Sequence, residues 1–396
     1  MSENLKIFFT LFLAVFVTTM GVGIVAPLLP IYAHELGAGA FQIGLIFSAF
    51  SLTRSIFVPY FGKLSDSKGK KVFLVSGLFA YFVVSVLFIF SKSIETLILL
   101  RLGQGFASAM ILPVAHAYIG LITPENKEGQ TMGLFNISIY AGLSAGPLLG
   151  GIIKDWFNIY VSFLSMAGLT LSGFFLCLVF LPPEKKSDTN DHKFQNSVSY
   201  GKLIRNNVIF SLFAFRTCFT TCIGIIWTFL PILAGIKLDL SSSATGIIVM
   251  INVFFAGFLH APMGYLADRI NKKMLTIAGG IIAAAAILYM NIASTFFELL
   301  LANAFIGLAG GISLPAVMAM GVIEGRRSKA MGSVMGLLAL GHSLGMLAGP
   351  LLAGISIDLF SFSTMFFMGA AVLIIGTIIF TYVNKGDKIS GVVSCG

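Results

Sequence analysis

Among the side chains able to carry charge, Arg54, Arg101, Arg216 and His342 stand out inside long apolar runs of this 396-residue chain. An arginine in hydrocarbon costs free energy unless it is paired or faces a cavity, so its presence there points to function by default. A guanidinium presents a planar fork of donors suited to anionic or carbonyl oxygens. Histidine gains and loses a proton near neutral pH, which suits His342 to carrying one. Each residue also has a plainer reading. Arg54 and Arg216 can bond helix carbonyls or a neighbouring polar group. Arg101 starts only about one turn inside its run and can snorkel to the interface. His342 can be a packed, neutral histidine.

The remaining polar groups inside apolar runs say less. His116 and His260 lie near run ends and read as structural. Asn136, Asn252 and Asn303 are mid-run amides that must face protein or a cavity rather than lipid. Trp227 reads as an interfacial anchor, with stacking on a substrate as the alternative. Of the four cysteines, Cys218 and Cys222 are one helical turn apart without a third ligand nearby, and they read as small packing residues. Neither a metal-ligand cluster nor a phosphate-binding G-x-x-x-x-G-K-[ST] loop is present, so no metal or cofactor is expected.

The elements that must position these residues follow from composition. Hydrophobic residues make up 57% of the chain and charged residues 10%, far below the quarter or so of a soluble domain, so the chain is a polytopic membrane protein. No long polar block leaves room for an ATP-binding module or an extramembrane catalytic domain. Apolar runs long enough to cross a bilayer fall near 7–33, 42–62, 72–90, 96–122, 131–153 and 161–181, then near 206–233, 242–262, 274–291, 298–321, 331–355 and 362–383. The first resembles a signal peptide after Lys6, but its apolar character continues to about Ala33, and it reads as a span. The expected organisation is an N-terminal six-helix bundle (1–181), a polar linker (182–205), and a C-terminal six-helix bundle with a short tail (206–396).

Orientation follows from the basic residues. With the N-terminus inside, 19 of the 25 lysines and arginines face the cytoplasm, three lie outside (Lys92, Lys154, Lys237) and three are embedded. Both termini are therefore expected in the cytoplasm of a multi-pass protein of the cell (inner or plasma) membrane. The formal charge of +9 becomes a topology signal, and no nucleic-acid partner is expected.

The halves repeat. Gly62-x-Leu64-x-Asp66-x-x-x-Lys70-Lys71 recurs as Gly264-x-Leu266-x-Asp268-x-x-x-Lys272-Lys273, and Gly105 and Pro113 match Gly307 and Pro315. Gly142-x-x-x-Gly146-Pro147-Leu148-Leu149-x-Gly151-x-x-x-Asp155 recurs as Gly345-x-x-x-Gly349-Pro350-Leu351-Leu352-x-Gly354-x-x-x-Asp358. Duplicated six-span halves suit alternating access, with cargo held near the midplane between them.

The loop Gly62 to Lys71, with Gly69 at its turn and lysines placed to meet anionic headgroups, resembles the signature loop of the major facilitator superfamily. Its second copy supplies Gly264, Asp268 and Arg269. Two departures stand out: Ser67 occupies the place where the family usually has Arg, and Asn271 replaces the glycine equivalent to Gly69. Arg101-x-x-x-Gly105 resembles the family's next motif. Gly142, Gly146, Pro147, Gly150 and Gly151 match the motif of drug/proton antiporters, and Pro27-Leu28-Leu29-Pro30 is similar to a pattern of the twelve-span branch. The resemblance covers all twelve runs.

The resemblance implies an all-α major facilitator fold of twelve transmembrane helices in two pseudo-symmetric bundles. It implies a monomeric secondary transporter, not an enzyme, exchanging a small amphipathic drug-like compound or metabolite for protons and needing no cofactor beyond the proton gradient. Arg101, His342 and Asp66 become the proton-coupling candidates. Arg54, Arg216, Asn252 and His342 become the substrate-binding candidates, because in this family the second, seventh, eighth and eleventh spans border one cavity.

The acids depart from the cationic-drug pattern. All 16 lie in loops or at span ends, so there is no mid-membrane carboxylate to trade a proton for a cationic cargo, and the cargo is expected to be neutral or anionic. A transporter of organic anions that uses the embedded arginines is the rival reading. A non-transporting membrane sensor or an intramembrane enzyme is a third.

Overall fold

The structure, a computed structural model, describes residues 3–124, 128–182, 203–328 and 330–384. Among these residues, twelve helices are long and apolar enough to cross a membrane. Spans one to six run Glu3–Glu35, Ala40–Ser65, Lys70–Phe90, Ile94–Ile122, Thr131–Trp156 and Ile159–Phe180. Spans seven to twelve run Asn207–Lys237, Ser242–His260, Lys272–Ile292, Phe296–Arg327, Ser333–Leu359 and Phe362–Val383. The all-α architecture expected from the apolar runs is the one observed.

Short polar residues start several spans. Ser93, Asn158 and Ser361 accept from the backbone N–H three residues ahead, and Thr295 and Glu298 satisfy each other's backbone N–H groups. Such caps replace helix bonds that the first turn lacks. Proline shapes the interiors. Span one breaks between Val25 and Leu28, at Pro27, and span four breaks between Ala109 and Leu112, just before Pro113. Span seven passes Pro231 and widens into a π-turn over Leu233–Lys237. Pro315, the repeat partner of Pro113, sits inside an unbroken helix, so identical punctuation in the two halves does not give identical bends.

The chain divides into two compact units, residues 1–187 with 227–254, and residues 188–226 with 255–396. In the first, span one packs on spans five and six, span two on span four, and span three on spans four and six. In the second, span nine packs on spans ten and twelve, and span eleven on spans ten and twelve. Most of the expected linker, residues 183–202, lies outside the described residues.

Two lysines of the repeated loops do other work than reaching lipid headgroups. Lys71 Nζ donates to the Leu181 carbonyl at the end of span six. Lys273, its repeat partner, donates to the Asn384 carbonyl at the end of span twelve at 2.6 Å. Lys70 is 6% exposed. The expected headgroup anchors are thus partly turned inward, because the last carbonyls of a helix lack intrahelical donors and attract cations.

Candidate functional site

Backbones cross closely where the glycine motif of span five lies. A Cβ on Gly142 would sit 2.2 Å from Thr19 Oγ1, one on Gly146 2.5 Å from the Met20 carbonyl oxygen, and one on Gly150 2.2 Å from that of Ile24. These three glycines seat span five on span one. Gly151 faces another way, with its missing Cβ 2.2 Å from the Ser242 carbonyl oxygen at the start of span eight. The same contact recurs in the second unit: a Cβ on Gly345 would sit 2.1 Å from Thr220 Oγ1, and one on Gly349 2.2 Å from the Thr221 carbonyl oxygen. A threonine sits at both crossings: Thr19 Oγ1 donates to the Val15 carbonyl at 2.8 Å and lies 3.5 Å from that of Ser138, and Thr220 Oγ1 donates to the Arg216 carbonyl at 2.8 Å and lies 3.4 Å from that of Gly341.

The start of span eight is held as well as packed. Asp155, at the end of span five, accepts from the Ser242 and Ser243 backbone N–H groups at 3.0 and 2.7 Å. Lys154 beside it pairs with Glu35 at 3.3 Å.

Span four is set against span two by Gly105, whose missing Cβ would lie 2.1 Å from Thr53 Oγ1, and by Thr53 donating to the Leu102 carbonyl at 2.9 Å. That contact brings Arg101 onto span two. Its Nε donates to the Ile46 carbonyl at 3.3 Å and its Nη1 to Gln104 Oε1 at 3.1 Å. The guanidinium carbon lies 5.1 and 4.7 Å from the ring centroids of Phe47 and Phe50. Arg101 is therefore folded into the protein by a carbonyl, an amide and two aromatic faces. Arg54 belongs to the same neighbourhood, since both guanidiniums act electrostatically on the buried Tyr81 hydroxyl of span three. Tyr81 carried no motif and was not singled out in the sequence.

In the second unit, Arg216 Nη2 lies 3.4 Å from Nδ1 of His342. Arginine can only donate, so this contact requires Nδ1 as the acceptor. His260 lies within electrostatic reach of Arg216, and its Nδ1 donates to the Ala256 carbonyl at 2.9 Å. The other span-end histidine, His116, contacts the Leu112 carbonyl at 2.9 Å and Asn136 Oδ1 at 3.1 Å. Among the substrate candidates, then, Arg216 and His342 meet in the second unit, whereas Arg54 and the 6%-exposed Asn252 belong to the first. The side chains of Asp66 and Asp268 lie outside the described residues.

Trp227 departs from the expected interfacial anchor. It lines a cavity of about 10 Å³ with Gly23, Pro27, Leu143, Pro147 and Val253, and its buried indole N–H makes no hydrogen bond among the described residues. Nothing local in the sequence pairs Trp227 with Pro27 and Pro147, which lie on two other spans.

Residues 11–242 and 216–391 match the family model of the Major Facilitator Superfamily. The chain belongs to that family. Within the Major Facilitator Superfamily, it is 28% identical over 383 residues to an uncharacterized MFS-type transporter of Methanocaldococcus jannaschii, covering 95% of this chain and 98% of the relative. It is 26% identical over 377 residues to the multidrug resistance protein MdtG of Citrobacter koseri, covering 92% of each. Among solved structures, a bacterial homolog of the human lysosomal transporter Spinster, inward-facing and unoccupied, superposes with a TM-score of 0.81 at 12% identity, covering 97% of each chain. At that identity the likeness speaks for the fold. A multi-pass membrane transporter of the Major Facilitator Superfamily is the reading these matches establish.

Proposed function

We propose that this transporter is a proton-driven antiporter that exports a small amphipathic organic molecule by alternating access. It works as a monomer in the cell membrane with both termini cytoplasmic, uses no cofactor, and catalyses no covalent chemistry. The observation that carries the reading is the contact of Arg216 with Nδ1 of His342. A proton arriving on Nδ1 removes the lone pair that accepts from the guanidinium and places two cations side by side. Protonation then favours any arrangement that separates spans seven and eleven at this point. Cargo that engages the Arg216 fork favours the released arginine, so proton and cargo compete for one contact.

Two further observations support export. The glycine and proline pattern of span five, which matches the antiporter motif, lies at a close crossing of backbones. The chain is also similar along nearly its whole length to MdtG proteins named for multidrug resistance. The cargo is neutral or anionic, because every Asp and Glu lies at a span end or in a loop while Arg54 and Arg216 are embedded.

The test is uptake of dyes, drugs and organic acids into everted vesicles under an imposed proton gradient. Accumulation that collapses with a protonophore, and loses its pH dependence in His342→Gln, is the expected result. No gradient-driven transport of any candidate would sink the reading. Gradient-driven transport with an unchanged pH profile in His342→Gln would remove the proton role of His342.

A further inference from the structure

A hydroxyl-rich cavity lies inside the first unit. It measures about 30 Å³, room for one occupant on the scale of a water molecule. Thr18 and Thr19 of span one, Tyr81 of span three and Ser108 of span four supply its polar lining, with Val15 and Leu112 among its apolar walls. The threonine protons are committed, since Thr18 donates to the Ala14 carbonyl at 2.7 Å and Thr19 to that of Val15 at 2.8 Å. Tyr81 is 2% exposed, and its hydroxyl makes no hydrogen bond among the described residues. A buried hydroxyl left unpaired costs about 1–3 kcal/mol, so this one is poised to donate to an occupant of the cavity.

The charge around Tyr81 says what kind of occupant. Arg54 and Arg101 both act on its hydroxyl. Every hydrogen-bond and ring partner found for Arg101 is neutral: the Ile46 carbonyl, the Gln104 amide and two phenylalanine rings. Among the described residues no carboxylate lies within ion-pair distance of either guanidinium, and the sequence has none in mid-span. Two guanidiniums placed inside membrane-spanning helices without an anion are unfavourable, and a negative charge nearby relieves both at once. A neutral water would satisfy the tyrosine but leave that charge uncompensated.

We propose that this cavity binds a single small monovalent anion of chloride size, held by the Tyr81 and Ser108 hydroxyls in the positive field of Arg54 and Arg101. The anion acts as counter-charge for the two embedded arginines. It fixes their orientation between spans two, three and four, and it is distinct from the cargo at Arg216 and His342.

The experiment uses the purified full-length protein in sodium gluconate, titrated with sodium chloride or bromide at constant ionic strength, and reads the melting temperature. A ligand that binds the folded state alone raises it in a saturable way. The expected result is a saturable rise of about 2–4 °C with either halide. In Tyr81→Phe and Ser108→Ala the halide concentration for half-maximal effect should rise at least tenfold. Each variant must first elute as a single folded species, and Ser108→Ala carries the test if Tyr81→Phe does not. Equal melting temperatures in gluconate and halide mean a buried water only and overturn the proposal. So does an undiminished halide response in a folded Tyr81→Phe or Ser108→Ala variant. Because the readout is binding, either failure leaves the transport reading intact.

Discussion

The Asp155 carboxylate grips Ser243 twice: Oδ2 accepts from its backbone N–H at 2.7 Å and from its hydroxyl at 2.5 Å. With Oδ1 taking the Ser242 N–H, one acid on span five caps the first turn of span eight. An N-terminal cap with a charged acceptor is worth about 1 kcal/mol, a factor of about five in a local opening equilibrium. Asp155→Asn keeps the shape but removes the charge and one acceptor oxygen. In an Asp155→Asn background, a cysteine at position 242 should react with a membrane-impermeant maleimide about three to five times faster than in the Asp155 parent. Equal rates would mean that the Gly151 contact alone holds the start of span eight.

The glycines of span five divide sharply from those of the repeated loops. Gly146→Ala and Gly150→Ala would drive a Cβ into backbone atoms 2.5 and 2.2 Å away, which no rotamer change relieves. A loss of about 1–3 kcal/mol is expected, read as a lower melting temperature and lower yield. Gly62→Ala and Gly264→Ala meet nothing within 4 Å and lie in helices. They should change stability by less than about 0.5 kcal/mol or raise it slightly.

Arg216→Lys distinguishes charge from geometry at the Arg216–His342 contact. Lysine keeps a cation but loses the fork of donors. If the fork holds cargo, apparent affinity should fall about tenfold or more while the pH profile of transport keeps its shape. His342→Gln should do the reverse, flattening the pH profile with a smaller effect on affinity. Rate measurements between pH 5.5 and 8.5 at several cargo concentrations separate the two.

Trp227→Phe removes the indole N–H, which has no hydrogen-bond partner among the described residues, and replaces the indole with a smaller ring. Stability should be unchanged or higher, since an unsatisfied buried donor costs about 1–3 kcal/mol. Trp227→Ala, which empties the space beside Pro27 and Pro147, should lose about 2 kcal/mol or more. Denaturation of the two purified variants side by side checks the pair.

Much of the fold was legible because the bilayer makes each span declare itself: about 20 apolar residues must satisfy their backbone within one helix. The repeat of Gly142 to Asp155 as Gly345 to Asp358 is matched in the fold by like crossings at Thr19 and Thr220, although neither threonine stood out in the sequence. The site was legible only as a set of residues out of place. Arg101 announced itself by its charge, but its partners Ile46 and Gln104 are a distant carbonyl and an ordinary amide, which no local pattern marks. Tyr81 and Trp227 looked like any aromatic residues of an apolar run. Their interest lies in a missing hydrogen bond, a property of the packed chain. Lys71 read as a headgroup anchor because its acceptor, Leu181, lies 110 residues away.

The twin caps, Lys71 on Leu181 and Lys273 on Asn384, bear on how a transporter of the proposed proton-driven kind keeps its parts intact. A peptide carbonyl takes up no proton at any physiological pH. These joints are therefore blind to the proton traffic that loosens a carboxylate or an imidazole. Each fastens the start of one helix to the end of another three spans later, like a rivet closing a hoop. Proton-sensitive contacts can then make and break while the hoops that carry them hold their form.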